Sequence, residues 1–73
     1  MIFSERLKLL RIQLEDSQLK VATTIGISDR AYRNLESGVS VPNMNTLIAL
    51  AEYFNVSIDY LTGRTDDPKL HTL

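Results

Sequence analysis

The stretch Ser17-Gln18-Leu19-Lys20-Val21-Ala22-Thr23-Thr24-Ile25-Gly26-Ile27-Ser28-Asp29-Arg30-Ala31-Tyr32-Arg33-Asn34-Leu35-Glu36-Ser37-Gly38 decides the fold of this chain. Ser17 is a good N-cap, because a serine hydroxyl accepts from a free amide of a first helical turn. Val21, Ala22 and Ile25 then share one face of a short helix. Gly26 stops it, since glycine enters the left-handed region without a Cβ penalty. Ile27 is an apolar anchor in the turn. Ser28 caps a second short helix, with Asp29 in the first turn, where the helix dipole favours an anion. Ala31, Tyr32 and Leu35 mark its inner side, and Ser37-Gly38 ends it.

Outward from this pair, Phe3, Leu7, Leu10 and Leu14 recur at three- and four-residue steps. They predict a helix from Ile2 to Leu14, with Ser4 as its candidate N-cap. Residues 39–42 read as a loop. Asn43 is set to cap a fourth helix whose stripe of Met44, Leu47, Ile48, Leu50, Ala51 and Phe54 predicts the central core element. Asn55 suits a left-handed helix end. Ser57 caps a short fifth helix, Ile58 to Leu61, closed by Gly63. Residues 64–73 carry Asp66-Asp67-Pro68 and no periodicity. The expected organisation is one all-α domain over residues 1–65 and a tail over 66–73, with no strand and no internal repeat.

Seventy-three residues make a single small domain. A chain of this size buries only about 60% of the surface that its unfolded form exposes. It has no cysteine, so neither a disulfide nor a thiolate–metal site holds it together. No apolar run approaches the ~20 residues that span a bilayer. The N-terminus lacks the charged and apolar pattern of a leader, so a cytoplasmic location is expected. Net charge is −1, from eight Lys and Arg against nine Asp and Glu. The first half, residues 1–36, holds six cations against five anions, and the second half holds two against four. His71 stands alone, without partners at metal-ligand spacing. There is no nucleophile–base constellation, paired-carboxylate pocket or glycine-rich phosphate loop. The sequence therefore predicts no enzyme, no cofactor and no metal.

A short helix, a glycine turn and a second short helix form the helix-turn-helix arrangement, in which the second helix enters the major groove of DNA. Around it stand Arg6-Leu7-Lys8 and Leu10-Arg11; Ser17-Gln18 with Val21-Ala22; Ile25-Gly26-Ile27-Ser28; Leu35-Glu36-Ser37-Gly38; Pro42; Thr46-Leu47 with Leu50-Ala51; and Val56-Ser57-Ile58-Asp59-Tyr60-Leu61 with Gly63-Arg64. In this order and spacing the chain resembles the repressor/Cro-type (XRE) helix-turn-helix family of prokaryotic transcriptional regulators, from residue 4 to about residue 65.

The resemblance implies a compact five-helix, lambda-repressor-like domain. It also implies a regulator, a repressor of bacterial or phage origin, that reads a double-stranded operator with its third helix. Gln18 matches a glutamine that contacts DNA at the edge of the groove. Ser28, Asp29, Arg30, Arg33 and Asn34 fall where family members place recognition contacts. Arg11 and Glu36 match a structural ion pair. The fifth helix matches a dimer contact, so a homodimer is expected.

The chemistry of these residues agrees with those roles. Arginine at position 30 suits guanine O6 and N7, and Asn34 suits adenine N6 and N7, each pairing discriminating by about 1–3 kcal/mol. Positions 30, 33 and 34 share a helix face. Taken alone, they also fit a plain solvated face. Gln18, with the first amides of its helix, suits a phosphate. Asn43, Asn45 and Thr46 suit a phosphate or capping alone. Tyr32 reads as a core residue whose hydroxyl needs a partner.

Three features depart from the family pattern. Glu15-Asp16 replaces the usual glycine and leucine, which removes an apolar side chain from the junction. Val39-Ser40-Val41 replaces a basic loop, which removes cations suited to phosphate. Asp29 opens the recognition helix, either to accept from cytosine N4 or to repel phosphate. These departures support a second reading. In it the chain binds another regulator, as an anti-repressor or switch modulator, or a toxin, as an antitoxin, with Val39 and Val41 as exposed apolar anchors.

Overall fold

Side-chain oxygens set the starts of four of the helices. In the computed structural model, which describes residues 2–69, Ser17 Oγ accepts from the Lys20 amide, Ser28 Oγ from that of Ala31 and Ser57 Oγ from that of Tyr60, each at 3.0 Å. Asn43 Oδ1 accepts from the Thr46 amide at 2.8 Å. The elements are α1 (Ile2–Gln13), α2 (Gln18–Ile25), α3 (Asp29–Ser37), α4 (Met44–Phe54) and α5 (Ile58–Leu61), with no strand among the described residues. His71 lies outside the described residues. No helix is long and apolar enough to cross a membrane.

Ser4 does not cap α1. It lies inside the helix and is buried beside Phe3 and Leu7. Its position repeats with Leu7 and Arg11 on the inner face, where a small side chain lets α1 approach the end of α3. A Cβ built on Gly38 would lie 3.6 Å from Ser4 Oγ.

The end of α1 is a six-residue closure in which the Asp16 amide bonds Arg11 O at 3.2 Å and the Glu15 amide bonds Ile12 O at 2.9 Å. This closure requires a left-handed residue, and Glu15 supplies it at φ 58°. That is the position where the family pattern carries glycine. A side chain there costs about 1–2 kcal/mol, partly regained because glycine has more unfolded-state entropy to lose. Glu15→Gly is therefore expected to stabilise the domain by about 0.5–1 kcal/mol, raising Tm by about 2–8 °C. Thermal unfolding checks this, and a lowered Tm would contradict it.

Phe3, Leu7, Val21, Ala22, Tyr32, Leu35, Leu50, Ala51, Phe54, Val56 and Leu61 form the core. α4 contributes Leu50, Ala51 and Phe54, but Met44 and Ile48 of the expected stripe are exposed. The neighbours of α4 are α2 and α5, which cover only part of that stripe. Leu14 is exposed because it follows the last residue of α1, so helical periodicity no longer carries it inward. Ala31 is likewise exposed, on the flank of α3 between the buried face and solvent.

The chain after α5 returns to α1. Arg6 Nη1 donates to Tyr60 O at 2.5 Å and to Thr65 O at 2.6 Å, while Nη2 bonds Asp66 Oδ1 at 2.6 Å. The guanidinium lies 4.3 Å from the Tyr60 ring centroid. The Ser57 amide donates to Pro68 O at 3.0 Å. Residues 65–68 are thus tied to the domain by one arginine and one backbone bond.

Candidate nucleic-acid interface

The elements around α3 are joined at Glu36, whose side chain is only 4% exposed. Arg11 Nε donates to Glu36 Oε2 at 2.6 Å, and Arg11 Nη2 donates to Oε1 at 3.1 Å. Tyr32 Oη donates to Oε2 at 2.6 Å, and Gln18 Nε2 donates to Oε1 at 3.1 Å. A further bond runs from Arg11 Nη1 to Asp16 O at 3.0 Å. The Arg11–Glu36 pair is thus present and bidentate, and Tyr32 finds its hydroxyl partner in the same carboxylate. One carboxylate holds the end of α1, the start of α2 and the last turn of α3 together. The sequence did not reveal that Gln18 and Tyr32 share it.

The charge states follow from these bonds. Burial pushes the Glu36 carboxyl up, but donors on Arg11, Tyr32 and Gln18 outweigh it and hold the group below the usual carboxylate range. The Glu36 hydrogen bond pushes the Arg11 guanidinium up. Burial, then the bond to Glu36, pushes the Tyr32 phenol up.

A second polar contact stands at the departure Glu15-Asp16. Tyr53 Oη donates to Asp16 Oδ2, and Lys20 Nζ bonds Asp16 Oδ1 at 3.0 Å. Those bonds, the one from Tyr53 first, lower the Asp16 carboxyl, and the bond between the two pushes the Tyr53 phenol up to about 12. Where the family pattern has an apolar leucine, Asp16 therefore holds the junction to α4 by a hydrogen bond.

Glu36 and Asp16 both have folded values below their unfolded ones. Their contribution is present above the unfolded values near pH 4 and is lost as pH falls through the folded ones. Tyr53 is raised, so its contribution is present below about pH 10 and is lost as pH rises toward about 12. Urea unfolding from pH 3 to pH 11 should show both declines. Stability that grows on acidification from pH 6 to pH 3 would contradict the assignment.

On α3 itself, Ser28 is exposed and its hydroxyl is used in capping. Arg30 is exposed and forms no ion pair among the described residues. Arg33 is exposed, and its Nε donates to Asp29 Oδ2 at 2.8 Å one turn earlier. Asp29 Oδ1 is buried, with no hydrogen-bond partner among the described residues. Asn34 is half-buried beside these groups. An open concavity of about 270 Å³ joins Lys8 of α1, Gln18 of α2 and Arg33, Glu36 and Ser37 of α3. Another, of about 210 Å³, joins Ile27, Ala31 and Leu35 to Asn43 and Thr46 at the start of α4. Asn45 is exposed in the same first turn. Of the residues singled out in the sequence for DNA contact, Gln18 and Arg33 line the first concavity and Asn43 and Thr46 the second, while Ser28, Asp29, Arg30, Asn34 and Asn45 line neither; Lys8 is an addition to the first. The described residues contain no cluster able to hold a metal ion.

A helix-turn-helix family model matches residues 7–61. The chain is 39% identical over 64 residues to the cryptic phage CTXphi transcriptional repressor RstR of Vibrio cholerae, covering 88% of this chain and 57% of that protein. It is 34% identical over 67 residues to the HTH-type transcriptional regulator YobD of Bacillus subtilis, covering 92% of this chain and 60% of that one. The chain thus spans about 60% of the length of these curated relatives. Its fold superposes on the P22 c2 repressor, determined in complex with a synthetic operator, with a TM-score of 0.80 and 30% identity, covering 84% of this chain and 92% of that one. From the family match and these relatives, the chain belongs to the repressor/Cro-type (XRE) helix-turn-helix family.

Proposed function

We propose that this chain is the sequence-specific DNA-binding module of a transcriptional regulator, acting as a repressor, with α3 in the operator's major groove. The observation that carries this reading is Arg30, an exposed cation with no ion pair among the described residues, on a helix whose other residues border the starts of α2 and α4. Arg30 and Asn34 read base edges, with Ser28 beside them. Gln18 and the Asn43, Asn45 and Thr46 turn hold backbone phosphates on either side. Asp29 acts through Arg33, because one carboxylate oxygen is engaged and the other is shielded. RstR and the P22 c2 repressor, both named as repressors, support the sign of regulation.

The protein pairs as a homodimer through the face of α4 and α5. Exposed Ile48 and Ile58 line an open groove there of about 620 Å³. A two-fold dimer suits half-sites about one DNA turn apart. The test is fluorescence anisotropy with duplex DNA from the chain's own upstream region. Affinity should fall linearly with salt on logarithmic axes. Absence of binding even at about 50 mM salt, where phosphate contacts are strong, would overturn the reading.

A specific observation also supports a protein partner. Val39 and Val41 are 75% and 68% exposed, and Val41 borders an apolar groove with Ile2, Phe3, Pro42 and Leu47. This supports the binding of a second regulator or a toxin on the loop side.

A further inference from the structure

We infer that Lys8 and Arg33 join Gln18 to form a seat for one DNA backbone phosphate, so that Arg33 anchors the protein and does not read a base. This rests on the DNA-binding reading above. Three helices bring Lys8, Gln18 and Arg33 to one open concavity, with Ser37 on its rim. Lys8 is exposed and has no ion-pair partner among the described residues. Arg33 is exposed, yet its Nε is committed to Asp29, which leaves the two terminal nitrogens as the donors for a ligand. Two parallel N–H donors fit two oxygens of a phosphate. The Gln18 amide is also fixed, because one of its hydrogens is given to Glu36. Its second hydrogen remains for an acceptor.

Glu36 borders the concavity but does not spoil it for an anion. Its two oxygens already accept four hydrogen bonds, two of them from Arg11, which neutralises the charge. The neighbours of Arg33 decide between base and backbone. It shares its concavity with Lys8 of α1, Gln18 of α2 and Glu36 and Ser37 at the C-terminal end of α3, whereas Arg30 and Asn34 do not line it. Asp29 is then a positioning residue, which fixes Arg33 through Nε.

The test uses the full chain and measures affinity for upstream duplex DNA over a salt series, together with base preference by selection from randomised duplexes. Lys8→Ala and Arg33→Ala should each flatten the logarithmic salt slope by about one per bound subunit, and the double variant by about two. Lys8→Arg should restore the slope. Base preference should be that of the native chain in all of them. A native slope in Lys8→Ala would overturn the inference, as would an altered base preference in Arg33→Ala. If the native chain binds no duplex at low salt, the DNA-binding reading falls first and the seat with it. Specific binding with an unchanged Lys8→Ala slope removes the seat alone.

Discussion

Replacing Glu36 by alanine should cost the domain about 3 kcal/mol, the lower end of what breaking a buried ion pair removes. Four donor atoms lose their acceptor at once, two on Arg11 and one each on Tyr32 and Gln18. Arg11 is 15% exposed, so its guanidinium is stranded where solvent replaces the carboxylate poorly. The Tyr32 hydroxyl is stranded beneath it, on a fully buried ring. A chain of this length has a total stability of roughly 4–11 kcal/mol, so the loss is a large share of the whole. Urea unfolding measures it. Removing both charges in Arg11→Met/Glu36→Leu should recover much of the loss, since a buried pair exchanged for apolar residues is often neutral. A loss below about 1 kcal/mol in Glu36→Ala would mean that the pair behaves as a solvated surface bridge.

Arg30→Ala should have the largest effect on DNA binding at little cost to the fold. Arg30 is exposed and engages no ion pair among the described residues, so its removal strands nothing. A bidentate arginine–guanine pairing is worth about 1–3 kcal/mol, or roughly 5- to 150-fold in affinity. In a dimer the effect counts in both half-sites. It should come with a relaxed preference at one base position per half-site, which separates Arg30 from phosphate-bound residues. Anisotropy with the native duplex and with single-base variants checks this. Uniform weakening across all the variants would assign Arg30 to the backbone instead.

What could be read from the residues was what is local. Ser17, Ser28, Asn43 and Ser57 each cap the helix expected of them, because a cap is a bond across three residues. Gly26, Gly38 and Asn55 each adopt the left-handed conformation expected at a helix end. Ser4 misled because a serine near a helix start signals a cap even when the helix begins earlier and the side chain turns inward. Met44, Ile48, Ala31 and Leu14 misled because periodicity marks an apolar face but not how much of it the neighbours cover.

The site was legible where a motif spans a few residues and incomplete where the partner is distant. Arg11 with Glu36 was expected from the family pattern. Tyr53 with Asp16, and Arg6 with Tyr60, Thr65 and Asp66, leave no periodic trace, since the partners are 37 or more residues apart. Lys8 joins the interface for the same reason: α1 reaches α3 only in the folded chain. Glu15 shows the converse case. The absence of the family's glycine was visible in the sequence, and the structure keeps the left-handed turn in spite of it.

On the DNA-binding reading, the α2–α3 face and the start of α4 meet the duplex. Amide NMR spectra of the labelled chain, titrated with duplex from its own upstream region at low salt, test this. The largest shifts should fall on Lys8, Gln18, residues 28–34 and residues 43–46, and should weaken as salt is added. Shifts confined to Val39, Val41 and the groove beside Ile2, or no shifts at all, would contradict it.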